Sequence, residues 1–281
     1  MNNLNSISDA PVCFWSWNGD ITEEEIKKQL SEFADNRLGG VIVHARAGLK
    51  TPYMGDEWFE RFELSIQEAK RLGLEVWIYD EDGWPSGFAG GRVPALGDEY
   101  CLKRLRYCFG AKNVPDGLPT EQYVALFRPC DDGTYEQTTA ECINADTLIF
   151  YYTLDRHYVD LLHPDTVRHF IGFVHERYAQ RIGQYFGSTV KGVFTDEPQL
   201  NNCGYPWSTV LEQAFEKNTG KALKPLLWMT AVDNENSGTF RYELWNTIFE
   251  LYNSSFVKQL ADWCGQHQLI LTGHYPCEDG L

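Results

Sequence analysis

Glu197 is the residue with the clearest chemical potential in this chain. It closes the β-prone apolar run 190–195 (Val-Lys-Gly-Val-Phe-Thr), which ends in Asp196-Glu197-Pro198. A carboxyl group at a strand end, partly desolvated by aromatic rings, is suited to general acid catalysis near neutral pH. Cleavage of a glycosidic bond needs two carboxyl groups, one protonating the leaving oxygen and one attacking the sugar or activating water. The competing reading makes Glu197 a cap of the next helix or an arginine partner. Asp196, its neighbour, points the opposite way in a regular strand and reads as structural.

Four other apolar runs end in residues of the same kinds. Run 12–17 brings Trp15, Trp17 and Asn18, and run 41–44 brings His44 and Arg46. Run 74–79 ends at Tyr79 and leads into Asp80, Glu81, Asp82 and Trp84, and run 269–272 leads into His274 and Tyr275. The interiors of these runs are apolar, so aromatic and ionisable groups gather at one end. Sugar binding would use them through stacking and hydrogen bonds to hydroxyls. Plainer roles stand beside this one. Acids and glycines are ordinary turn residues, Trp84 can pack over a loop, and Trp15 reads as core. Trp17 either fills the interior or floors a pocket. His44 and His274 could be metal ligands, proton shuttles or hydroxyl partners. However, the first strand reads Phe-Trp-Ser-Trp and lacks a His-x-His pair, which counts against a metal-dependent hydrolase, and no metal ligand set is assigned. His169 and His175 fall within a helical pattern and read as structural. No Gly-x-Ser-x-Gly elbow, Walker loop or kinase motif set is present.

The elements that must position these residues alternate strand and helix, the pattern of a parallel α/β sheet. Thr22 begins a helix with Glu25 three residues on, a capping-box spacing, and Ile26, Leu30 and Phe33 form its apolar face. A second helix spans about 56–72, with Phe59, Phe62, Ile66 and Ala69 on one face and Gly73 as its stop. A long helix is predicted over 164–186 and further helical segments over 208–218 and 239–265. Between the third strand and the long helix, 101–109, 122–127, 147–153 and 157–162 read as short strands, with a turn at Asp132-Gly133. The segment 100–162 is therefore expected as a small antiparallel β excursion inserted into the α/β pattern. The expected fold is a (β/α)8 barrel, incomplete at about five βα units and cut from a longer protein, with 1–281 as its catalytic-type domain. A doubly wound sheet is the alternative, but the first βα turn lacks a dinucleotide glycine fingerprint.

Composition narrows the partners. In 281 residues, 24 Lys and Arg stand against 40 Asp and Glu, a net charge of −16. An acidic chain repels nucleic acid and anionic membrane surfaces. No apolar run is long enough to span a bilayer, and the N-terminus has no basic and apolar leader pattern. Aromatic residues reach 14% with nine Trp, which suits a sugar-binding cleft as well as a core. The eight Cys lack zinc-type spacing and read as reduced thiols of a cytoplasmic protein. An open barrel edge is expected to be covered by a homodimer, a swapped element or the 100–162 segment.

The segments FWSWNGDIT, GGVIVHARAGL, LEVWIYDEDGWPSGFAGG, HPDTVRHFIGFVHERYAQRIGQYFG and VKGVFTDEP resemble bacterial glycoside hydrolases of the α-L-rhamnosidase type, family 106-like. The WPSG loop and the FTDEP strand carry the specific part of the likeness. The resemblance implies a (β/α)8 catalytic domain acting on glycans, with Glu197 as a catalytic carboxyl and a second carboxyl on a later strand. It also implies calcium near the site in some members, with ligands that cannot be assigned here. A non-catalytic carbohydrate-binding or scaffold protein derived from such enzymes is the alternative expectation.

Overall fold

The computed structural model describes residues 9–200 and 204–274, arranged in two compact units. Along the chain run β1 (Val12–Trp17), α1 (Glu23–Asp35), β2 (Gly40–Ala45), α2 (Asp56–Leu72), β3 (Glu75–Asp82), β4 (Cys101–Phe109), β5 (Tyr123–Pro129), β6 (Tyr135–Gln137) and β7 (Leu148–Val159). They are followed by α3 (Pro164–Phe173), α4 (His175–Ile182), β8 (Val190–Asp196), β9 (Tyr205–Trp207), α5 (Leu211–Thr219), α6 (Ser237–Tyr252), α7 (Lys258–Gln266) and β10 (Ile270–His274).

The first unit takes residues up to Val93, then Val167–Gln199, then Val257 onward. Its sheet has the order β1-β2-β3-β8-β10, and every pairing is parallel. Chain order and spatial order coincide, so all C-terminal strand ends lie along one edge. Side chains alternate between the faces. On β1, Trp15 and Trp17 pack among helix residues: Trp15 against Phe33 of α1, and Trp17 edge-on against Trp58 and tilted against Phe62 of α2. Phe14 is on the other face and is 44% exposed. That second face is lined by Ile42, Trp77, Tyr79 and Phe194, with Val12 and Ile270 against them. Gly192 makes room for Trp77: a Cβ there would lie 2.3 Å from the indole ring.

The helices follow from their sequences with two corrections. Thr22 caps α1 by accepting the Glu25 N–H at 3.2 Å, a cap of about 1 kcal/mol. Glu25 does not complete the capping box, because its carboxylate accepts from Gln29 one turn on. In α2, Phe59, Phe62, Ile66 and Ala69 are buried as their spacing predicts, and Gly73 ends the helix in the left-handed conformation with φ 76°. The helix expected over 164–186 is interrupted at Val174, where φ is −114°, and finishes in a 3-10 turn at Gly183–Tyr185. Hydrogen bonds from Val174 to Phe170 and from Tyr178 to Val174 cross the interruption, so it is a kink.

The second unit combines Pro94–Thr166 with Leu200–Phe256. Its sheet is antiparallel, with the order β6-β5-β7-β4-β9. The two short strands expected at 147–153 and 157–162 are one strand, β7: long pairing with β4 carries the chain through 154–156 without a turn. The turn at Asp132-Gly133 joins β5 to β6, with the Gly133 N–H donating to Cys130 O. Helices α5 and α6 belong to this unit too and meet at Phe215 and Phe240.

No helix among the described residues is long and apolar enough to cross a membrane. The described cysteines, 13, 101, 108, 130, 142 and 264, are free thiols.

Candidate functional site

Rings from every strand of the parallel sheet meet on its second face. Phe14 of β1 packs edge-on against Phe194 of β8, with centroids 4.9 Å apart. His44 of β2 stacks on Tyr79 of β3 at 3.4 Å, Tyr79 lies parallel to Phe194 at 6.0 Å, and His274 of β10 meets Phe194 edge-on at 5.0 Å. A parallel sheet brings these residues together because each points to the same face and all but the mid-strand Phe14 stand toward the C-terminal strand ends.

Asp196 joins this network. Tyr79 Oη donates to its Oδ2 at 2.8 Å, and His274 Nδ1 lies 3.2 Å from its Oδ1. The alternation that puts Asp196 on the Phe194 face was present in the sequence. Its partners on β3 and β10 were not, and they place Asp196 at the centre of the ring cluster. Burial and the neighbouring Asp196 raise the Tyr79 phenol well above its ordinary value, so it stays protonated and donates. Burial pushes His44 down to about 4, and its Nε2 donates to the Gly83 carbonyl at 3.1 Å.

Glu197 stands just past β8 with φ at +42°, a left-handed conformation rare for a residue with a side chain. This turn ends the strict alternation of the strand. The Glu197 N–H donates to His274 O at 3.0 Å, and its carboxylate Oε2 accepts the Trp84 indole N–H at 3.1 Å. Trp84 is 48% exposed, so the pair faces solvent.

The loop that carries Trp84 is organised by the two acids before it. Glu81 is fully buried, and its two oxygens accept the backbone N–H groups of Asp82, Gly87, Phe88, Ala89 and Gly90. Burial lifts its carboxyl to about 8, against the pull of these donors. Asp80 is also fully buried. It accepts from Ser86 Oγ at 2.6 Å and lies 3.4 Å from Nε2 of the buried His175. Ser86 also exchanges two hydrogen bonds with the Asp196 backbone, its N–H to O and its Oγ from N–H, both 2.8 Å. The loop is thereby fastened to the end of β8.

Of the expected site residues, His44, Tyr79 and His274 share the ring cluster, and Trp84 meets Glu197. Asp80 and Glu81 are instead fully buried: loop donors hold both oxygens of Glu81, while Ser86 holds one oxygen of Asp80 and the other lies 3.4 Å from His175. Trp17 is also a correction: it is fully buried on the helix-facing side, because β1 turns Phe14 and Ser16 to the other face. Asn18 and Arg46 are exposed at the ends of β1 and β2. Tyr275 lies outside the described residues. A cleft of about 430 Å3 runs beside Arg46, Lys50, Asp82 and Gly83. Among the described residues no three His, Cys, Asp or Glu side chains gather as a metal site.

No family model matches the chain. A solved rhamnosidase from Novosphingobium sp. PP1Y shares its fold, with a TM-score of 0.62 and 14% identity over 96% of this chain and 46% of that one. A Formosa agariphila protein described as a putative beta-glucuronidase is 30% identical over 116 residues, 38% of this chain and 10% of that protein. The chain thus spans less than half of the solved structure and about a tenth of the curated relative.

Proposed function

We propose that this chain carries the catalytic end of a glycoside hydrolase, with Glu197 as the acid/base carboxyl and the ring-lined strand ends holding a sugar. The observation that carries this reading is the Glu197–Trp84 pair: a carboxylate at the end of β8, turned toward solvent and held by a loop tryptophan fastened to the same strand. A sugar seated against Trp84 would bring its glycosidic oxygen to the carboxyl, which would donate its proton as the bond breaks. The fold shared with a rhamnosidase and the partial likeness to a putative beta-glucuronidase support a glycosidase. The five strands then represent part of a (β/α)8 barrel, and an α-L-rhamnosidase-like activity is one specificity within this proposal.

The second carboxyl decides between this reading and a sugar-binding descendant without activity. Asp80 and Glu81 are fully buried away from solvent, which favours Asp196, or a residue outside the described ones, as the partner of Glu197. The test is Glu197→Gln on the protein, assayed on an unactivated glycoside. Loss of at least a hundredfold in kcat with an unchanged Tm supports the acid/base role. An unaffected rate overturns it, and sugar binding without turnover in the unsubstituted chain favours the binding protein.

A further inference from the structure

We propose that the cleft at the C-terminal ends of β2 and β3 binds the anionic group of an acidic sugar, a carboxylate or a sulfate ester. The proposal rests on the carbohydrate reading above and names the class of sugar.

Arg46 and Lys50 both line the cleft, and neither forms an ion pair with any described residue. Other basic residues of the first unit are mixed: Arg71 pairs with Glu68 and Arg181 with Asp56, while Arg37 and Lys191 form no ion pair with a described residue. What sets Arg46 and Lys50 apart is that they share one concave wall in a chain of net charge −16, and a cleft concentrates their field. Asp82 is the one acid on the lining, so cations outnumber acids there by two to one. The guanidinium of Arg46 offers the fork of donors that matches a planar carboxylate or two sulfate oxygens.

The backbone beneath these cations is fixed. The Arg46 N–H donates to Trp17 O at 2.9 Å and the Lys50 N–H to Gly19 O at 3.0 Å. Between them Gly48 adopts φ +101°, and a Cβ there would sit 2.6 Å from the Asn18 carbonyl oxygen, so only glycine allows this close approach. A loop tied down in this way loses little freedom when it binds. The cleft also adjoins the proposed reacting end. Gly83 lines it and accepts from His44, and the next residue, Trp84, donates to Glu197. An acidic sugar held here would lie close to the bond that Glu197 protonates.

The test titrates the full chain with methyl glucuronide, methyl glucoside 6-sulfate and methyl glucoside by calorimetry at low salt. At least one acidic sugar should bind ten times more tightly than the neutral one, and the better of the two identifies the anion. In the double variant Arg46→Gln, Lys50→Gln the preference for the acidic sugar should vanish while Tm stays the same. Raising salt to 0.5 M should shrink the preference in the unsubstituted protein. Equal binding of all three sugars overturns the anion subsite and leaves the carbohydrate reading standing. A preference that survives the double substitution or high salt also overturns it. Binding of none overturns the anion subsite and leaves the carbohydrate reading to the Glu197→Gln assay.

Discussion

Trp84 and Glu197 lie 113 positions apart and meet in one hydrogen bond, indole N–H to carboxylate, at 3.1 Å. Neither residue is held there by its own strand alone. Glu197 is turned out by a left-handed backbone, and Trp84 rides on a loop anchored by Glu81 and Ser86. The pair thus depends on β3, β8 and the loop together.

Trp84→Phe keeps a ring and removes only the donor. On a glycoside substrate it should lower kcat about tenfold with KM nearly unchanged, since a hydrogen bond to a charged group contributes about 1.5–3 kcal/mol. Trp84→Ala should raise KM as well, because the stacking surface goes with it. Steady-state kinetics on both variants separates the two contributions, and equal KM values in both would remove the stacking role.

Glu81→Gln should be severely destabilising although it changes few atoms. Either orientation of the amide turns an NH2 donor toward two or three backbone N–H groups that in the parent donate to a Glu81 oxygen. Leaving those N–H groups unsatisfied costs about 3 kcal/mol or more. Urea unfolding measures the loss, and amide exchange should accelerate first at Gly87–Gly90. A variant as stable as the parent would show that the loop is held by something else.

Tyr79→Phe should cost about 1 kcal/mol, the loss of one hydrogen bond to Asp196 with the ring stack preserved. Tyr79→Ala should cost about 3–5 kcal/mol, because a fully buried ring between His44 and Phe194 is removed. Paired denaturant curves check the ratio.

His44 should remain neutral down to about pH 4, as burial pushes it there. The unfolded chain binds this proton near 6.5, so stability is complete above that value and falls as pH drops from 6.5 toward 4. The contribution is about 2 kcal/mol once solvent screening is allowed for. Melting curves of the parent and His44→Gln at pH 7, 5 and 4 should converge as pH falls, and an NMR titration of the imidazole should show no change above pH 5. A midpoint near 6.5 would contradict this.

The sequence by itself determined the repeating units. Period-two apolar runs, Thr22 and Gly73 at helix ends, and apolar spacings of three and four along α2 specify strands and helices through local backbone chemistry. It also determined that ionisable and aromatic residues collect at the strand ends. Tertiary structure alone decided which of them face one another. Alternation tells Trp17 from Phe14 but not which face the helices cover, and that choice made Trp17 core. Nothing local marks Glu81 as an acceptor for donors up to nine residues away, because its role exists only once the loop has folded over it. The left-handed turn at Glu197 ends the alternation of β8, which the strand's own residues do not announce. Asp196 reaches Tyr79 and His274 because parallel pairing brings β3 and β10 to either side of β8. Strand β7 likewise reads as two pieces until β4 is paired along its length, since long-range ladder hydrogen bonds outweigh a weak local turn signal.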